Sequence, residues 1–127
     1  HYTQRFGELS QQIENLALDV KSYLQADFQR GFSMSFDEEA ALDSAQSLVS
    51  YARTLDNLID RDRVGAKAQR KLDQVSDELY ELKFVLIYVN YPSVVDTLIN
   101  QLRNKVELLE DLMDYKTPIR HGRRHRR

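Results

Sequence analysis

Three histidines, at positions 1, 121 and 125, are the only imidazoles in this chain, and cysteine is absent. None of the three lies in a stretch with helical periodicity. A di-metal carboxylate bundle needs Glu-x-x-His pairs on facing helices, and a haem bundle needs a histidine in a helix seam. Neither pattern occurs. Met113 falls in a seam without a histidine partner and reads as core filler. His121 and His125 have a chelating i,i+4 spacing, but Gly122 and the surrounding arginines oppose a helical metal site there. A hydrolase triad needs a folded histidine beside its serine. Adjacent carboxylates are present at Glu38–Glu39 and Glu110–Asp111, but neighbouring helix positions point apart, so these read as solvated faces. No glycine-rich phosphate loop is found. The expectation is a protein that is not an enzyme, with no cofactor and no metal.

The elements that would position any site are helices. Phe6, Leu9, Ile13, Leu16, Val20 and Tyr23 recur at 3–4 spacing, predicting a first helix from about Thr3 to Arg30, with Asp27 near its end as a solvated acid. Gly31 then suits a left-handed residue just past that end. Ser35-Phe36-Asp37-Glu38 has the form of a capping box and opens a second helix. The seam of this helix reads Ala41, Ala45, Leu48, Ala52, Leu55, Ile59. Extending the seam at the same spacing meets Asp62, Ala66, Gln69 and Asp73, of which only Ala66 is apolar. The next apolar series, Ala68 to Val89, has a different phase. One continuous rod would bury the Asp62 and Asp73 charges at several kcal/mol or more each, so the chain is expected to break near Asp60–Gly65, with a register stutter in a continuous rod as the lesser alternative. Asn90-Tyr91-Pro92-Ser93 ends the third helix, because Pro92 has no N–H to donate. Ser93 with Asp96 is expected to cap a fourth helix, whose seam runs Val95, Ile99, Leu102, Val106, Leu109, Met113.

Four amphipathic helices with short turns predict an all-α fold, an antiparallel up-down-up-down four-helix bundle over residues 1–118, followed by a basic tail at 119–127. The 127-residue chain carries 42% hydrophobic residues, enough to fold as one domain without a metal or disulfide. No apolar run reaches the length of a transmembrane helix.

In that topology the first and third turns share one end. The first, Gly31 to Phe36, carries Phe32, Met34 and Phe36, although turns are usually polar. The third helix ends in Phe84-Val85-Leu86-Ile87-Tyr88-Val89, apolar on every side, with Tyr91 following. One bundle seam cannot bury so many. Three readings compete: a closed hydrophobic lid, an exposed surface for a protein partner or a second copy, and a small-molecule pocket between the helix ends. The partner candidates are Phe32, Met34, Phe36, Phe84, Tyr88 and Tyr91.

Net charge is −2, but the distribution is uneven. Residues 120–127 hold five arginines, leaving 13 basic against 20 acidic residues in 1–119. Arg120, Arg123, Arg124, Arg126 and Arg127 are candidate anion-binding residues for nucleic acid or an anionic surface. No aromatic is interleaved to stack on bases, so a solvated or internally neutralised tail is the plainer expectation. A start at His1 in place of Met leans towards export after removal of a leader. The leading functional expectation is a non-catalytic interaction or structural module. The alternatives are a small-molecule or cofactor-binding bundle and an anion-tethered protein.

Overall fold

The structure is a computed structural model that describes residues 2–31 and 33–116. Four helices follow one another: α1 (Tyr2–Phe28), α2 (Phe36–Asp60), α3 (Ala66–Leu86) and α4 (Val94–Lys116). The described residues contain no strand. Helix α1 packs on α2 and α4, and α3 packs on the same two. Each helix thus has two neighbours, and the ring they form surrounds one hydrophobic core.

The seams expected for α2 and α4 are buried throughout, and that of α3 is buried from Ala68 to Leu86. Val89, past the end of α3, is half-buried against the core. The α1 seam differs in its second half. Leu16 is half-buried and Tyr23 is exposed, while Ala17, Leu24 and Phe28 are buried. The expected series covers 17 residues from Phe6 to Tyr23 in five steps, whereas five α-helical turns take about 18, so the core face moves one position onward. Asp27 then falls beside the seam, 3.5 Å from Arg30.

Helix ends follow local chemistry. The Ser35 hydroxyl accepts from the Glu38 amide at 3.1 Å, and the Glu38 carboxylate accepts from the Ser35 amide at 2.9 Å. This capping box satisfies two amides that the first turn leaves free. Helix α2 stops where the phase change required. Asp62 adopts φ 58°, the Asp62 amide donates to the Ile59 carbonyl, and the Arg63 amide reaches the Leu58 carbonyl. That pair of bonds is a Schellman motif, usually built on glycine. At the end of α1 the expected left-handed Gly31 is not found: no described glycine has a positive φ. The helix stops earlier, at buried Phe28, so Gly31 lies beyond the capping position.

The α3–α4 junction also departs from expectation. Helix α3 ends at Leu86, four residues before Asn90, and the chain tightens through i−3 bonds from the amides of Ile87, Tyr88 and Val89. Asp96 does not form a reciprocal cap with Ser93. Its carboxylate instead accepts the Tyr91 hydroxyl at 2.7 Å.

Candidate partner-binding face

The apolar residues at the expected surface divide into two groups. Met34, Val85, Val89 and Tyr91 are half-buried and packed against the core. They close that end of the molecule. Phe36 is 84% exposed, Phe84 58%, Ile87 69% and Tyr88 64%. These values are too high for a lid, because a buried aromatic would hide most of its area. Phe32 and the five tail arginines lie outside the described residues, as do His121 and His125.

The exposed apolar residues at the end of α3 and just past it lie on one side. Tyr80, Phe84 and Tyr88 follow at intervals of four, with Ile87 beside them, and Tyr80 is also exposed. The Phe84 and Tyr88 rings meet edge to face with centroids 6.4 Å apart. Phe36 arrives from α2. The Ser44 hydroxyl donates to Glu78 at 2.6 Å, and the Lys71 ammonium lies 5.2 Å from the Tyr51 ring centre. A step forward along α2 is matched by a step back along α3 in these two contacts. Eight residues before Ser44 is Phe36, and eight after Glu78 is Leu86. Phe36 therefore comes level with the Phe84–Tyr88 pair.

Tyr80 and Ile87 were not singled out from the sequence as surface residues. Tyr80 sits four positions before Phe84, a spacing that was visible, but only the packing of α3 says which side faces water. Carboxylates flank the same face. Asp77 and Glu81 are exposed on it, and neither forms an ion pair among the described residues. Lys83 is half-buried and lines a cleft with Leu86, Tyr91 and Asp96.

A second polar constellation crosses α1 and α2. Ser10 and Asp56 are buried, with the Ser10 hydroxyl 2.7 Å from Asp56 Oδ1. Burial raises the Asp56 pKa, the bond from Ser10 opposes that, and the neighbouring Glu14 carboxyl raises it again by hydrogen bonding and charge. Glu14 is held from its other side by Arg53 Nε at 3.1 Å. Glu110, expected on a solvated face, is buried: Val106 lies four positions before it and Met113 three after, both in the α4 seam. Among the described residues no three His, Asp or Glu side chains converge as a metal site.

An open cleft of about 560 Å³ runs between α1 and α4, where Gln12, Asn15, Gln101 and Asn104 stand over Leu16 and Leu108. Its amides are exposed to water and none is buried and aimed inward. No described helix is long and apolar enough to cross a membrane. Compared with family models, curated proteins and solved structures, the chain finds no match.

Proposed function

We propose that this protein is a non-catalytic interaction module, an antiparallel up-down-up-down four-helix bundle that binds a protein partner through the exposed apolar face of α3 and the start of α2. The opposed residue stepping in the α2–α3 contacts supports the topology, as does the Ser10–Asp56 contact between the start of α1 and the end of α2. One observation carries the binding reading. Phe36, Phe84, Ile87 and Tyr88 stay in water although the chain has a filled core. An exposed aromatic cluster gains free energy only when something covers it, and such clusters supply the anchoring residues of protein interfaces.

The test is Phe84→Ala together with Tyr88→Ala. Denaturant unfolding of each variant should show a loss under about 1 kcal/mol, as for an exposed side chain. Affinity purification from the native source should recover a discrete partner with the parent protein, and both variants should lose it. Equal partner recovery with parent and variants would overturn the reading. So would a cost of about 3–5 kcal/mol for Phe84→Ala, the range for a buried Phe.

A further inference from the structure

We propose that the aromatic–acidic face of α3 is a docking site for an arginine-rich segment, and that its resident occupant is this chain's own residues 120–127. The proposal rests on the partner-surface reading above and adds a regulator to it, because an occupied face excludes other partners. The face presents Tyr80, Phe84 and Tyr88 with Asp77 and Glu81 between and beside them, all exposed. The one cation in the last three turns of α3 is the half-buried Lys83, against the exposed carboxylates of Asp77 and Glu81. A guanidinium is the side chain that matches both components at once: its plane stacks on an aromatic ring, and its fork pairs with a carboxylate. Lysine would satisfy the acids but stack poorly. A second copy of the same face would set Asp77 and Glu81 against like charges.

The sequence supplies five arginines in eight residues, the chain's one dense cationic run. Reach permits the contact. Lys83 and Asn100 line one cleft between α3 and α4. Sixteen residues on from Asn100, α4 ends at Lys116, level with Lys67 when α3 is followed back equally far. From that level to Tyr88 is about 32 Å at 1.5 Å per helical residue. The eleven residues after Lys116 span at most about 36–40 Å when extended. At full extension a chain leaving Lys116 needs about five residues to draw level with Asp77 and about nine to ten to draw level with Tyr88.

The absence of cysteine gives a clean experiment on the full chain. Gly122→Cys carries a nitroxide label, and paramagnetic broadening is read on isotope-labelled amides and tyrosine rings. Broadening of Tyr80, Phe84 and Tyr88 by at least threefold over the α1–α4 cleft residues is expected. It should fall by half or more with Asp77→Asn plus Glu81→Gln, a pair of exposed changes that leaves the core intact, and also at high salt. Broadening spread evenly over acidic surfaces, or none anywhere, overturns the proposal. Broadening seen only when labelled and isotope-enriched chains are mixed assigns the tail to a second copy and overturns it as well. The partner experiment above is independent: loss of partner with Phe84→Ala but no broadening sinks this inference alone. Broadening without any partner sinks the partner reading and leaves a face occupied by its own tail.

Discussion

Asp56 is a carboxyl placed where an aliphatic side chain would pack, and it survives there by means of two neighbours. The Ser10 hydroxyl supports it, while Glu14 stands close enough to share a hydrogen bond and to repel it. Its folded-state pKa lies above the ordinary 3.8, so the folded chain holds this proton more tightly than the unfolded one. The resulting stabilisation is full below the ordinary value and is lost as pH rises through the folded value. Asp56→Asn should flatten that part of the stability-versus-pH curve and raise stability at pH 7 by about 1 kcal/mol, because an amide can donate to Glu14. Ser10→Ala should do the reverse, costing about 1–3 kcal/mol at pH 7, since it strips a buried carboxylate of its donor. Urea unfolding across pH 3–8 reads both. Tyr91 is the alkaline counterpart. Its hydroxyl donates to Asp96, and this bond, with burial and the Asp96 charge, pushes its pKa up to about 12. The bond's contribution is present below the ordinary 10 and is lost between 10 and about 12. Tyr91→Phe should cost about 0.5–1.5 kcal/mol at neutral pH. In a 295 nm titration the variant should lack the component near 12.

Helix ends show how local chemistry and packing share control. Ser35→Ala removes a reciprocal cap and should cost about 0.5–2 kcal/mol in thermal unfolding. Asp62 holds a left-handed backbone without being glycine. Asp62→Gly should therefore stabilise the protein by about 0.5–1 kcal/mol, the relief of Cβ strain exceeding the added chain entropy. A loss of stability would mean that the Asp62 side chain contributes more than its backbone strain costs. The sequence signalled both places, the first by its Ser-x-x-Glu pattern and the second by the seam's change of phase. It did not signal that Asp96 would turn to Tyr91, because that bond depends on how the chain tightens after Leu86. Nor did it place Gly31 correctly, since the end of α1 follows the burial of Phe28.

Across the whole molecule, neighbours in sequence have opposite fates. Leu82 is fully buried and Phe84, two residues on, is mostly exposed. Leu82→Ala should cost about 2–5 kcal/mol and Phe84→Ala under about 1, measured by the same denaturant titration. Similar costs for the two would contradict the orientation of α3. The sequence by itself determined four helices, their breaks and most of their core residues, because periodicity and capping are local properties of a chain in water. It also marked an apolar excess near Phe36 and Phe84. Only the tertiary structure decided which of those residues closed the core and which stayed in water. Met34 and Tyr91 went inward; Phe36, Phe84, Ile87 and Tyr88 did not. The same holds for Asp56 and Glu110, whose types suggest surface and whose positions are interior. Burial is set by what the neighbouring helices bring to a given level, and that register is fixed by the packing of all four together.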